Sequence, residues 1–334
     1  MDDARFQSLL DQNPVKLDVP YTPAPELRVL TTHYNPHKYK SRGRNYDVFV
    51  ASLLRSGIKF TVVECAFGDD EFELPPAPYV TQVRAQSYLW QKERLLNLAA
   101  SQCPSDAKYI AWIDCDVLFE NPNWAVETVT LLEQEHTIVQ LFETCTQLDP
   151  DSIAGSPDMQ SFGAVVPNDL DALTADVSNK HWYSRHGHTG YGWAARREVF
   201  EKIGLYECAL NGSADHYMAH AAVSDFGRCL DLAFRKEKDN PNSLRHFTEW
   251  GTRFYDVVRG KLGAVSGQVV HLSHGHRNNR LYLPRGFMVQ AMEFNPYTDI
   301  VAEPGKPLEW SSSANPKLQR YFKDTFFAER KEDD

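Results

Sequence analysis

The chain lacks any apolar run of about eighteen residues, the length that a membrane-spanning helix needs, so the sequence predicts no membrane insertion. Its amino terminus is acidic and lacks the apolar core of a secretion signal, so we expect no signal peptide. The six cysteines show neither the paired spacing of a zinc site nor a disulfide framework, which favours a reducing, cytoplasmic location. Basic residues are outnumbered, and the formal net charge of −10 argues against a protein that grips nucleic acid over its whole surface.

The apolar residues that are present fall into alternating strand and helix patterns, and their 42% share is typical of a soluble globular protein. Strand patterns at 26–32, 59–65 and 109–113 alternate with helix patterns at 46–56 and 87–103. This order predicts an α/β fold, a doubly wound sheet with mostly parallel strands and helices on both faces. Later patterns predict strands at 137–142 and 268–272 and helices at 194–204, 215–223 and 247–260.

A pair of aspartates follows the apolar strand pattern Tyr109–Ile113. Asp114 and Asp116 form an Asp-x-Asp step at its carboxyl end, where ligands gather in doubly wound sheets. Two carboxylates at the end of an apolar strand are costly to desolvate, so they need a neutralising partner. A divalent cation that bridges the phosphates of a nucleotide is one such partner. A solvated acidic turn is the alternative, and for an isolated pair it is the more common one.

Three later segments also carry chemistry. The segment 270–280 places histidines directly after a strand, where an imidazole can serve as a metal ligand or simply belong to a polar loop. The glycine-rich segment 187–200 contains Trp193, which offers a flat surface for a sugar, although a tight turn before a helix explains it equally well. The segment 211–216 puts Asp215 at the start of a helix, where an N-cap is the simpler explanation.

The order of these motifs is more informative than any one of them. Asp-x-Asp, glycine-rich Trp-Ala-x-Arg-Arg, Gly-x-x-Asp-His and His-x-x-His-Gly follow one another over approximately residues 26–285. This series resembles the nucleotide-sugar glycosyltransferases of the GT-A fold, in particular the galactosyltransferase-type group and its bacterial and phage relatives. The resemblance implies a Rossmann-like GT-A sheet and transfer of a hexose from a UDP-sugar to an acceptor hydroxyl, with a divalent metal.

The resemblance also implies roles for individual residues. Asp116 binds the metal directly, and Asp114 assists by holding the ribose or a metal-bound water. His274 is the imidazole metal ligand, and a nitrogen ligand beside carboxylates favours Mn²⁺ over Mg²⁺. Asp215 is the catalytic base of an inverting reaction. The remaining expected donor-site residues are Thr31, His33, Asn35 and Glu64 at the uridine, Arg84 and Lys92 at the base or the diphosphate, and Trp193.

The chain departs from the family pattern in two places. Cys115 replaces the usual aliphatic or acidic middle residue of the Asp-x-Asp step, which is harmless if its side chain points into the core. The acidic pair expected before the later helix is Ala214 and Asp215, so only one carboxylate remains there.

The domain division follows from these motifs. A proline-punctuated lead-in over 1–25 precedes one predicted GT-A domain over 26–290. The nucleotide-binding half is expected at 26–140 and the acceptor and catalytic half at 141–290. The tail at 291–334 contains several prolines and a charged end, so it either wraps the body or frays.

Several acceptors and other classes of function stay open at this point. Basic clusters at 37–44 and 276–285 either neutralise the donor diphosphate or contact a polyanionic acceptor, including DNA with hydroxymethylated bases, as phage-type glucosyltransferases do. A saccharide or other glycoconjugate is the preferred acceptor because the acidic balance opposes DNA. A nucleotidyltransferase would carry a glycine-rich loop after the first strand, and the loop 31–35 has no glycine. A non-catalytic carbohydrate-binding protein would explain Trp193 but not the metal ligands.

Overall fold

A computed structural model describes residues 4, 7, 8, 11, 19–148, 159–174, 185–227, 240–276, 279 and 281–333. Most of the predicted lead-in over 1–25 and part of the basic cluster at 276–285, including Arg277 and Arg280, lie outside these residues.

The described chain alternates strands and helices through its first half and becomes less regular after that. The strands are β1 Leu27–His33, β2 Phe60–Phe67, β3 Val80–Ala85, β4 Tyr109–Ile113, β5 Val117–Phe119, β6 Ile138–Gln140, β7 Thr144–Gln147, β8 Met159–Gln160, β9 Gly192–Arg196, β10 Leu262–Ala264, β11 Gln268–His271, β12 Ile300–Val301 and β13 Glu309–Trp310. The α-helices are α1 Lys40–Arg55, α2 Lys92–Ser101, α3 Trp124–Gln134, α4 Phe162–Val165, α5 Arg197–Lys202, α6 Ala214–Ala222, α7 Pro241–Val258, α8 Tyr282–Ala291 and α9 Pro316–Tyr321.

The central sheet is mixed, as the sequence predicted. Its seven strands lie in the order β10-β6-β9-β4-β1-β2-β3. Strands β1, β2, β3 and β4 run parallel, β10 runs parallel to β6, and β9 is antiparallel to both β4 and β6. A second sheet joins β5, β11, β7 and β8, and it continues from the carboxyl end of β4. The carboxyl edge of the large sheet therefore meets the second sheet where the Asp-x-Asp step stands.

Strand β4 shows how the sequence builds a core on each face of the sheet. Ile110 and Trp112 point into one hydrophobic cluster, with α2, α6 and α7 packed over it. Ala111 and Ile113 point into the other, which α1 and α3 cover. All five residues of this strand are buried, as expected of a strand with helices on both sides. The predicted doubly wound α/β class, with helices on both faces, is confirmed.

Two local predictions were wrong. The helix predicted at 194–204 begins only at Arg197, because Ala194 and Ala195 are central residues of strand β9, hydrogen-bonded between β4 and β6. Sheet pairing overrides the helix preference of alanine there. The helix predicted at 87–103 begins at Lys92, and the residues before it include strand β3, which the sequence did not predict.

The carboxyl-terminal residues pack onto the body. Leu308, Leu318, Phe322 and Phe326 are buried in the same cluster as Trp112. In the described part of the chain no helix combines the length and apolar character needed to cross a membrane. None of the cysteines in that part forms a disulfide.

Candidate active site

The turn between β4 and β5 carries both aspartates of the Asp-x-Asp step. The Asp114 amide donates to the Tyr191 carbonyl at 2.8 Å, which ties the turn to the segment before β9. The Leu272 amide donates to the Asp116 carbonyl at 2.7 Å, because β5 pairs antiparallel with β11. Cys115 is half-buried and packs against one of the two core clusters. The strand pairing thus brings the histidine segment to the second aspartate.

Asp116 lies against two imidazoles. His274 Nε2 is 3.1 Å and His271 Nε2 is 3.6 Å from Asp116 Oδ2. Both histidine side chains are buried, and the Asp116 side chain is 20% exposed. Burial alone would raise the pKa of Asp116, but the two imidazoles outweigh it and hold that pKa well below its ordinary range. The carboxylate is therefore charged at neutral pH.

This donor set fits a divalent metal ion. One ligand atom from each of the three residues lies within 4.8 Å of the other two. Asp116 Oδ1 is buried and has no hydrogen-bond partner among the described residues, as expected of an oxygen placed for a cation. One carboxylate with two imidazoles suits Mn²⁺ or Zn²⁺ better than Mg²⁺. The sequence proposed His274 for this role and missed His271, although it stands in the same motif.

Asp114 faces a different partner. Lys92 Nζ lies 2.6 Å from Asp114 Oδ1 and 2.8 Å from Asp215 Oδ2, so one ammonium joins two carboxylates. Burial raises the pKa of Asp114 to about 6, with Asp215 and Asp116 adding to the rise and Lys92 opposing it. Burial would lower the pKa of Lys92, but Asp114 and Asp215 hold it well above its ordinary value. Lys92 is thus a fixed cation on this side of the site.

Asp215 stands in the first turn of α6, where the sequence expected a catalytic base. Its side chain is 20% exposed, which leaves it accessible from the site. Gly190 lies beside it: a Cβ added there would be 3.9 Å from Asp215 Oδ2 and 3.1 Å from the His188 ring. Ala214, where the resemblance implied the first member of an acidic pair, is buried in the core.

The four residues predicted at the uridine do cluster at the carboxyl ends of β1 and β2, but their polar groups are largely engaged within the chain. His33 Nε2 is 2.8 Å from Glu73 Oε2, and Asn35 Nδ2 donates to both Glu73 oxygens. The Glu64 carboxylate accepts from the Leu74 amide at 3.1 Å and from Gln82 Nε2 at 2.9 Å. The fourth residue, Thr31, donates to the Ile113 carbonyl at 2.7 Å.

The segment 68–74 closes over this part of the site. A cavity of about 10 Å³ lies among His33, Asn35, Glu64 and Glu73, which is space for a single water. Arg84 is exposed on β3, and its guanidinium donates to the carbonyls of the same segment rather than to the site. A nucleotide base could enter here only if Glu73 moved away. No motif in the sequence pointed to Glu73.

Trp193 is placed differently from its predicted role. It is fully buried on β9, opposite Trp112 on β4, and its indole nitrogen donates to the Thr189 carbonyl at 2.8 Å. No face of the ring is open for a sugar to stack on. Its contribution is to the core beneath the site.

The carboxyl-terminal tail lies beside the cluster of Asp116, His271 and His274. Glu332 is buried; its Oε1 accepts from Arg42 Nη2 at 2.9 Å, and it also pairs with Arg330. Burial would raise the pKa of Glu332, but these two guanidiniums hold it well below its ordinary value. The tail passes over Gly275, which has a φ of +74°, and a Cβ there would lie 2.6 Å from the Lys331 carbonyl. The sequence did not indicate this contact.

The two basic clusters are partly neutralised by the chain itself. In the first, Arg42 pairs with Glu332, and Lys38 Nζ lies 3.3 Å from Glu73. In the second, Arg285 is buried with its guanidinium 5.2 Å from the centroid of the Phe326 ring. These arginines do not form an open cationic surface.

Comparisons with known proteins find similar chains among solved structures only. No protein-family model matches the chain, and no curated protein matches it significantly. Among solved structures, the catalytic domain of Drosophila β1,4-galactosyltransferase 7 in complex with xylobiose matches at 14% identity and a TM-score of 0.31, covering 59% of each chain. A mutant of the same enzyme in complex with manganese, UDP-Gal and xylobiose matches at 13% identity and a TM-score of 0.32, over 58% of this chain and 59% of that one. The chain thus covers about three-fifths of the length of each.

Proposed function

We propose that the protein is a metal-dependent GT-A glycosyltransferase that moves a hexose from a UDP-sugar to the hydroxyl of a saccharide or other glycoconjugate. The observation that carries the proposal is that two clusters of charged and ligand side chains lie at one sheet edge. Asp116, His271 and His274 form a candidate cation site. Asp114, two residues before Asp116, contacts the Lys92 ammonium, which also pairs with Asp215. A solvated acidic turn would explain neither the two imidazoles beside Asp116 nor the Lys92 ammonium beside Asp114.

Asp116, His271 and His274 would hold Mn²⁺ or a similar divalent ion. Such an ion supplies electrostatic stabilisation of the negative charge that develops on the departing diphosphate. Lys92 adds a second, permanent positive charge, because Asp114 and Asp215 keep it protonated. With the ion bound, the metal and Lys92 would be two cations at the sheet edge from which a diphosphate would leave.

Asp215 is the proposed general base. Lys92 holds Asp215 Oδ2, which leaves Oδ1 as the oxygen to receive the proton of the acceptor hydroxyl. Asp215 shares the Lys92 ammonium with Asp114, whereas Asp116 contacts the two imidazoles, so the proposed base and the proposed metal ligands are separate groups at one site. With Asp215 as a base distinct from the metal ligands, the proposal is a single displacement with inversion at the anomeric carbon.

The charges around the site favour a neutral acceptor. Arg42 is matched by Glu332, and Arg285 is buried against an aromatic ring, so neither is arranged to grip a polyanion. Duplex DNA binds through several phosphate contacts made by accessible lysines and arginines. A saccharide hydroxyl needs no such surface.

A donor screen tests the proposal. UDP-glucose, UDP-galactose and UDP-GlcNAc are each incubated with the full chain, with and without Mn²⁺, and released UDP is measured. We expect Mn²⁺-dependent UDP release from at least one donor. In a separate mixture of a nucleoside triphosphate and a sugar phosphate, we expect no release of pyrophosphate. Pyrophosphate release would indicate a nucleotidyltransferase, and binding of sugar without turnover would indicate a carbohydrate-binding protein.

The stereochemistry is a separate test. With an active donor and a saccharide acceptor, nuclear magnetic resonance of the product gives the anomeric configuration. We expect inversion, and Asp215→Asn should slow transfer by about 10³-fold. Retention together with an active Asp215→Asn variant would remove the proposed base and leave the metal site untouched.

A further inference from the structure

A second histidine cluster lies outside the proposed donor site. His186, His216 and His220 each offer one ring nitrogen, and these nitrogens lie within 4.8 Å of one another. We propose that these three imidazoles bind a divalent transition-metal ion of the Zn²⁺ class, separate from the ion at Asp116. The proposal does not depend on the proposed function, since none of the three residues has a role in it.

Hydrogen bonds fix two of the rings in the tautomer that a metal requires. His186 Nδ1 lies 2.9 Å from the Gly187 carbonyl, which can only accept, so Nδ1 carries the proton and Nε2 the lone pair. His220 Nδ1 lies 2.9 Å from Asp225 Oδ2, so the same holds for this ring. A ligating histidine whose other nitrogen donates to a carbonyl or a carboxylate is the usual arrangement around protein-bound metals.

The position of the rings agrees with this assignment. His220 Nε2 is buried and has no hydrogen-bond partner among the described residues. His216 and His220 are four residues apart on α6 and therefore share one face of the helix. The ring centroid of His220 is 4.4 Å from that of His216 and 5.0 Å from that of His186. The three rings thus meet in a small space between α6 and the segment before β9, where His186 and His220 are buried and His216 is half-buried.

The electrostatics favour neutral imidazoles in this cluster. Burial, together with the neighbouring His220, lowers the pKa of His186 to about 4. Burial and the two other histidines also hold the pKa of His216 well below its ordinary value. A metal would therefore have to displace few protons at neutral pH. Asp225, behind His220, is the carboxylate that balances part of the added charge.

The donor set distinguishes this cluster from the one at Asp116. Three imidazoles without a direct carboxylate suit Zn²⁺, Cu²⁺ or Ni²⁺ rather than Mg²⁺ or Ca²⁺, and three protein ligands leave a fourth position for water. Tetrahedral Zn–N bonds put neighbouring nitrogens about 3.3 Å apart, so binding would draw the rings together. The ion would link α6 to the segment before β9, directly beside Asp215.

Cobalt titration of the full chain tests the proposal. After chelator treatment and dialysis, Co²⁺ is added and the visible absorption of tetrahedral Co²⁺ is followed, with bound metal measured by mass spectrometry. The background variant is Asp116→Ala combined with His274→Ala, which removes the first site. We expect this background to keep one equivalent of tetrahedral Co²⁺, and Zn²⁺ to displace it and raise the melting temperature.

Variants on that background locate the ion. His220→Gln should lose the bound equivalent, whereas His136→Gln, a partly buried histidine far from both clusters along the chain, should keep it. Asp225→Asn retains all three imidazoles and should weaken Co²⁺ binding about 10–100-fold, so it remains informative if His220→Gln does not fold. A background protein that binds no Co²⁺ would overturn the proposal, as would His220→Gln and Asp225→Asn proteins that bind it as His136→Gln does.

Discussion

The two aspartates of the Asp-x-Asp step stand two residues apart and meet opposite surroundings. On the metal side, Asp116 faces His271 and His274, and its pKa falls well below the ordinary range in spite of burial. On the ammonium side, burial raises the pKa of Asp114 to about 6, and the negative charges of Asp215 and Asp116 add to the rise. The pKa is raised although Lys92 Nζ lies 2.6 Å from Asp114 Oδ1. The difference arises from the packing around the turn rather than from the residues themselves.

The Asp-x-Asp motif is therefore not one functional unit. The metal side is assembled by strand pairing between β5 and β11, and it offers ligand atoms for a metal ion that the chain must bind from solution. The ammonium side is assembled by helices α2 and α6, and it already contains its cation in Lys92. One aspartate should therefore control metal dependence, and the other should control the position of Lys92 and Asp215.

The largest expected effect comes from the metal side. Asp116→Asn keeps the shape of the side chain but removes the charge, so Mn²⁺-dependent UDP release should fall by about 10³-fold or more. Cys115→Ser is the matched control, because it changes the turn between the aspartates and leaves both carboxylates in place. Full activity in Asp116→Asn, measured across a Mn²⁺ titration, would show that the metal side is not the metal site.

The next effect should fall on the ammonium side without touching metal affinity. Asp215→Asn should lower kcat for transfer by about 10³-fold, the usual size of a general-base contribution. The Mn²⁺ concentration for half-maximal protection against thermal unfolding should stay unchanged. If Asp215→Asn lost Mn²⁺ affinity to the same extent as Asp116→Asn, the two aspartates would not have the separate roles proposed for them.

A substitution at Lys92 tests whether its ammonium stabilises the neighbouring carboxylates of Asp114 and Asp215. Lys92→Met leaves Asp114 and Asp215 facing each other without a cation, so unfolding in urea should show a loss of about 3 kcal/mol. Adding Asp114→Asn to Lys92→Met removes one of the two negative charges and should recover part of that loss. Equal stability of the single and the double variant would mean that the ammonium does not hold the pair.

The parts of this site that the sequence predicted are those encoded locally. The apolar run Tyr109–Ile113 ends at a charged residue, so both the strand and the position of the aspartates could be predicted from neighbouring residues. The roles of His271 and Lys92 depend on strand pairing and helix packing between distant segments, which no local pattern encodes. Trp193 was misjudged for the same reason: its exposure is decided by the sheet that surrounds it.

The smallest expected effect concerns the neighbour of Lys92 on α2. Glu93 is buried and accepts from Trp90 Nε1 at 3.0 Å, and burial raises its pKa to about 8. A carboxyl whose pKa is raised in the folded state stabilises the protein fully below its unfolded pKa, near 4.5, and this stabilisation is lost as the pH rises to about 8. Glu93→Gln carries no such charge and can still accept from Trp90.

The free energy of unfolding of Glu93→Gln relative to the native chain should therefore increase between about pH 5 and pH 8, by at most about 1.4 kcal/mol per pH unit, because the native Glu93 carboxyl releases a proton on unfolding and the glutamine does not. Urea unfolding at several pH values measures this difference, with the exposed Glu135→Gln as the control, which should follow the native chain at every pH. A difference that stays constant with pH would show that Glu93 is already ionised in the folded protein. The ammonium side would then hold one more negative charge than the contrast between Asp114 and Asp116 assumes.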